Sequence, residues 1–152
     1  MKFLCDSMLI GLARYLRFLG HDVEVVSSFP DAHRRYTCFK DRIFLTTSPA
    51  HWHLWPGTQK HLIPSGRLEE QFRQLCQTLP ILQDLNFLSR CSRCNVAIEP
   101  VEKAAVKQVV PEKVYQWVDQ FYRCPSCQRV YWEGGHVVRL KEKLRRLGVP
   151  LD

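Results

Sequence analysis

Cys91-Ser92-Arg93-Cys94 and Cys124-Pro125-Ser126-Cys127 are two C-x-x-C knuckles in one chain. Two intervening residues let both sulfurs of a knuckle turn toward one point at zinc–thiolate distance, and two knuckles together fill a tetrahedral Zn²⁺ site. With all four positions taken by sulfur, such a site is structural and leaves none for a catalytic water. Two disulfides or two redox dithiols would also satisfy the count, but the spacing is that of an intracellular metal site. Twenty-nine residues separate Cys94 from Cys124, more than a compact four-cysteine motif uses, so the distal region reads as a zinc ribbon with an inserted segment. Within the insert, Pro111 is placed to open a helix with Val114, Trp117, Val118 and Phe121 on its apolar face. Residues 129–132 read as the strand after the second knuckle, and Trp117 and Trp132 as core. A last helix over residues 136–147 carries the stripe Val137, Leu140, Leu144 and Leu147, with Arg139, Lys143 and Arg146 on the other side.

Upstream of the knuckles the apolar pattern changes. Lys2-Phe3-Leu4-Cys5 is a short buried strand ending at Asp6, and residues 8–19 follow with Leu9, Leu12, Ala13, Leu16 and Leu19 at helical spacing, stopped by Gly20. Strands over residues 23–26 and 43–46 flank a short helix over 31–40, so strand and helix alternate as in a parallel sheet with helical crossovers. Residues 49–66 contain three prolines and two glycines and read as loop with a strand at 61–63, while 67–79 returns to helix with Leu68, Phe72, Leu75 and Leu79 inward. The expected organisation is an α/β domain over 1–88 and the ribbon with its inserted and C-terminal helices over 89–152.

The chain has 152 residues, 45% hydrophobic and 24% charged, with a formal net charge of +7. No stretch is apolar for the roughly 18 residues a membrane helix needs, and Asp6, Arg14 and Arg17 interrupt the N-terminal run where a signal peptide would be continuous. Residues 1–88 carry 10 Lys+Arg against 8 Asp+Glu, and residues 89–152 carry 12 against 7. Four thiolates on one zinc add a net charge of about −2 to the distal half; the remaining excess favours a polyanionic partner without demanding one. Seven cysteines are an odd number. Cys5, Cys38 and Cys76 therefore read as buried free thiols, and the expected location is intracellular, cytoplasmic or nuclear.

The opening from Lys2 to Asp22, with Asp6 after the strand and Leu12-Ala13-Arg14-Tyr15-Leu16-Arg17-Phe18-Leu19-Gly20 on the helix, resembles the Mut-seven C-terminal RNase domain, a PIN-like ribonuclease family. So does the distal run of Cys124 to Cys127, Tyr131-Trp132-Glu133-Gly134 and His136. The resemblance spans nearly the whole chain. It implies a PIN-like parallel sheet with flanking helices followed by a four-cysteine zinc ribbon, an activity on single-stranded RNA, and Mg²⁺ or Mn²⁺ held by carboxylates at the strand ends. Asp6 and Asp31 are the catalytic positions it suggests. Arg14 and Arg17 are expected to face RNA, with Arg139, Lys143 and Arg146 as further candidates; the bland alternative for each is a solvated cation. Cys91, Cys94, Cys124 and Cys127 are the zinc ligands.

One departure is specific. Where the family carries an Ile-Leu-Leu-Thr-Arg-Asp run, this chain has Ile43-Phe44-Leu45-Thr46-Thr47-Ser48. Serine brings no charge to a hard divalent cation, and Thr47 removes a phosphate-facing arginine, so weakened hydrolysis is expected. Asp6 has a second role open to it as a helix cap. Trp52 and Trp55, in the proline-rich stretch, are expected to be exposed and able to stack bases, and His51 and His53 alone do not make a metal site. The rival readings are a non-catalytic RNA-binding module and a protein-docking module of a larger RNA-processing assembly.

Overall fold

The computed structural model describes residues 1–151. A four-stranded parallel sheet is built from β1 (Lys2–Asp6), β2 (Asp22–Val26), β3 (Ile43–Thr46) and β4 (Lys60–Leu62), in the order β2-β1-β3-β4. Helices α1 (Ile10–Phe18), α2 (Phe29–Arg34), α3 (Pro49–Leu54) and α4 (Leu68–Thr78) link and flank the strands. The expected α/β architecture is therefore present.

Both faces of the sheet are buried because alternate strand residues point to opposite sides. Phe3, Cys5, Ile43 and Leu45 pack with Leu9, Leu12, Leu16, Phe72 and Leu75 on one face. Leu4 and Phe44 pack with Phe29, Ala32, Phe39 and Trp55 on the other. By the same alternation Asp6 shares the side of Leu4, and Thr46 that of Phe44. Gly20 ends the first helix at φ +100°, and a side chain there would lie 2.6 Å from the Asn86 carbonyl. Only glycine fits both the backbone angle and that approach.

The distal region forms a second, antiparallel sheet of β5 (Glu99–Val101), β6 (Phe121–Arg123) and β7 (Val130–Tyr131), with α5 (Glu112–Trp117) in the insert and α6 (Gly135–Arg146) at the end. Among the described residues no helix is long and apolar enough to cross a membrane. Leu144 and Val149 join the core of the parallel sheet, with Leu140 and Leu147 packed against it. In packing terms α6 thus belongs with the sheet, and the grouping of residues 89–152 expected from the sequence does not describe how that helix is buried.

Several expectations are corrected. Residues 49–54 form a helix, because Ser48 accepts a hydrogen bond from His51 N–H and Pro49 occupies the first turn, where its missing N–H costs nothing. Residues 31–40 are not one helix: α2 starts at Phe29, capped by Ser28, and a 3₁₀ turn at Tyr36–Cys38 follows. Trp55 is 2% exposed and stacks on Phe44 at 4.5 Å, so it is core and offers no surface to a base. Trp117 is 84% exposed, since α5 is too short to lay its whole apolar stripe down. Cys38 is exposed, whereas Cys5 is fully buried and its thiol is pushed up to about 12 by burial.

Candidate functional site

The four knuckle cysteines converge. Their sulfurs all lie within 4.8 Å of one another, and the Cys91 and Cys127 sulfurs are 3.7 Å apart. Ligands about 2.3 Å from a tetrahedral zinc sit about 3.8 Å from each other. The donor set and spacing therefore fit a structural tetrathiolate, and Zn²⁺ is the ion they suit.

Each knuckle shapes itself locally. Cys94 N–H donates to the Cys91 sulfur and Cys127 N–H to the Cys124 sulfur, both at 3.4 Å, and Asn95 and Gln128 follow at positive φ. Tyr131 Oη lies 3.0 Å from the Cys91 sulfur and accepts from Ser92 N–H. Burial works against ionising Cys91, but hydrogen bonds from Tyr131 and from the backbone of Cys94 and Arg93 outweigh it and bring the thiol to about 6. Cys94, hydrogen-bonded to Cys127, goes up to about 11, and burial raises Cys124. A bound cation would draw all four toward thiolate.

The first knuckle docks on the free edge of β2. Arg17 is 7% exposed, and its guanidinium donates to the Val23, Ser92 and Arg93 carbonyls at 2.8, 2.6 and 3.5 Å. Asn95 accepts from Val23 N–H at 2.8 Å and donates to Asp22 at 2.6 Å. Burial would raise the Asp22 carboxyl, but the bonds from Arg42 and Asn95 and the charges of Arg42 and Arg90 hold it below the ordinary carboxylate range. Arg17 is thus a strut between sheet and knuckle. The Arg17 guanidinium expected to face RNA is turned to these carbonyls, while Arg14, three residues earlier, is exposed.

At the carboxyl end of the parallel sheet, Asp6 is 5% exposed. Its Oδ1 accepts from Ser7 N–H at 2.9 Å, and its Oδ2 accepts from Thr46 Oγ1 at 2.8 Å and His51 Nδ1 at 2.6 Å. Against a carboxylate, Nδ1 can only donate. The imidazole is stacked on Phe29 at 3.9 Å and 4°. Ser48 N–H donates to Thr46 Oγ1, and Ser48 Oγ caps α3. Asp6 caps the 3₁₀ turn Ser7–Leu9 that precedes α1, α1 itself having no side-chain cap, and its other oxygen orients a histidine.

Asp31 is elsewhere. It sits in the first turn of α2, half-buried, paired with Arg34 at 3.6 Å and Arg35 at 3.4 Å. Among the described residues the four cysteines form the only group of three or more potential ligands close enough to share an ion. Of the positions expected to hold Mg²⁺ or Mn²⁺, the Asp6 carboxylate is hydrogen-bonded to Ser7, Thr46 and His51, Asp31 is paired with Arg34 and Arg35, and Ser48 caps α3. His51, weighed in the sequence only as half of a metal pair, is instead the partner of Asp6; the signal for it is a histidine three residues after a capping serine that follows β3.

The remaining basic candidates separate. Lys143 pairs with Glu69 of α4 and lies over the Tyr15 ring. Arg139 contacts His136 Nδ1 at 3.1 Å, and Arg146 is exposed. Trp52 is half-buried with the Lys60 ammonium 4.3 Å from its ring centre.

The sequence model described as the Mut7-C RNAse domain matches residues 1–144, and the chain belongs to that family. No curated protein and no solved structure gives a significant match to the chain.

Proposed function

We propose that this member of the Mut7-C RNAse domain family binds single-stranded RNA through a PIN-like α/β domain braced by a structural zinc ribbon, with metal-dependent hydrolysis weakened. The observation that carries the second half is the Asp6 carboxylate. It is bound by Thr46 and His51 and capped onto Ser7, the arrangement of a group that orients an imidazole rather than of an open ligand awaiting a hard cation. Family membership and the basic balance of the chain support the first half.

The test is built on Ser48. Aspartate caps a helix as well as serine does, so Ser48→Asp restores a carboxylate without disturbing α3. With Mn²⁺ supplied, wild type is expected to bind labelled single-stranded RNA and cut it slowly, and Ser48→Asp to cut faster. Rapid Mn²⁺-dependent cleavage by wild type that Asp6→Asn abolishes would overturn the weakened centre. Absence of RNA binding by wild type would overturn the RNA reading itself.

One observation favours the protein-docking reading as a second possibility: Trp117 and Val109, both on the inserted segment, are 84% and 63% exposed. In that case Trp117→Ser leaves RNA affinity unchanged and abolishes the binding of a partner protein once one is in hand.

A further inference from the structure

A groove of about 350 Å³ runs between α1, β7 and α6, where the ribbon meets the parallel-sheet region. Its lining is mainly apolar and aromatic, from Tyr15 on α1, Trp132 after β7, and Val137 and Leu140 on α6. Arg14 of α1 and Arg129, just before β7, also line it, the latter over the Tyr131 ring at 5.9 Å. Both are exposed, and neither has an ion-pair partner among the described residues.

We infer that this groove receives one unpaired nucleobase of an RNA strand, with Arg14 and Arg129 holding the phosphates on either side of it. The inference rests on the RNA reading above and gives it a location away from Asp6. Three features select this occupant. The volume lies in the range of about 300–1,000 Å³ typical of small-molecule sites. Tyr15 and Trp132 line the groove, with Lys143 over the Tyr15 ring, and aromatic side chains stack on bases of any identity. Two guanidinium groups without carboxylate partners match phosphates, which they bind in bidentate fashion. A purely apolar partner would leave both cations uncompensated. Gly134 helps to form the wall, because a side chain there would lie 2.6 Å from the Trp132 indole nitrogen.

The deciding experiment is anisotropy titration of a fluorescent single-stranded RNA against the zinc-loaded full chain across a range of salt. Arg14→Ala combined with Arg129→Ala should weaken binding by about tenfold or more and make the log–log salt slope shallower by about 1.4, the value for two lost single-strand phosphate contacts. Val137→Trp fills the groove without changing charge and should weaken binding by about tenfold at an unchanged slope. A charge-matched control, Arg73→Ala with Lys113→Ala, removes two exposed cations elsewhere and should leave affinity within about twofold. If wild type binds RNA and the groove variants bind as the control does, the groove assignment is wrong while the RNA reading stands. If wild type does not bind RNA, both fall together.

Discussion

The parallel-sheet region and the ribbon are held together by opposite means. The sheet is buried on both faces mainly by leucine and phenylalanine side chains from its helices, and Leu144 of α6 and Val149 after it join that core. The ribbon around its knuckles buries only Cys91, Ile98 and Cys124 as a cluster, and the insert only Val106, Val110 and Phe121. A core that small does not offset the conformational entropy of ordering its chain. One region is stabilised by removing hydrocarbon from water, and the other gathers four sulfurs in an arrangement that suits closure around an ion. The junction follows neither rule, being a set of hydrogen bonds centred on Arg17 and Asn95.

Metal removal should break the comparison most sharply. Structural zinc contributes on the order of 10 kcal/mol in small modules, so chelation or Cys124→Ser is expected to unfold the ribbon while the sheet persists. Hydrogen exchange would show protection lost over residues 91–131 and kept in β1 and β3; protection lost everywhere would refute the division. Conversely, Phe44→Ala should cost about 3–5 kcal/mol through the cavity left against Trp55 and Phe29. The melt would fall, yet elemental analysis should still find one zinc per folded chain.

A smaller effect tests the junction. Arg17→Met keeps much of the side-chain volume but removes the donors to the Val23, Ser92 and Arg93 carbonyls, for about 2–3 kcal/mol. Calorimetry should then resolve two transitions where wild type gives one. Acid is the mildest probe. Because the folded Asp22 carboxyl lies below its ordinary value, its contribution is complete above the unfolded pKa and is lost as pH falls through the folded one. Asp22→Asn should therefore flatten the acid limb of the stability profile, by about 1 kcal/mol or less given partial exposure. An unchanged acid limb would remove Asp22 from the junction's energetics.

Much of this was legible in the residues. The apolar runs of β1 and β3, the helical stripes of α1, α4 and α6, and the paired knuckles all carry local periodicity or spacing that the structure keeps. What was not legible depends on distant partners. Arg14 and Arg17 look alike on the helix, yet Arg17 is buried because carbonyls 75 and 76 residues away reach it. Trp55 reads as a loop aromatic until Phe44 is seen beneath it. The helix at Pro49–Leu54 was hidden by reading proline only as a breaker, although serine followed by proline is also a start signal. Asp6 was visible as a candidate acid; its capture by His51 was not, since the pair is 45 residues apart.

The knuckle's seat on β2 has one more consequence. An outermost strand with unpaired amides is a template for joining another chain, and proteins shield such strands by covering them. Here the cover is Asn95 on the Val23 amide, one residue past Cys94 of the four-cysteine cluster. Zinc starvation should therefore do more than loosen a small appendage: it would uncover a sticky border, and the depleted protein should self-associate along β2 before its sheet has melted.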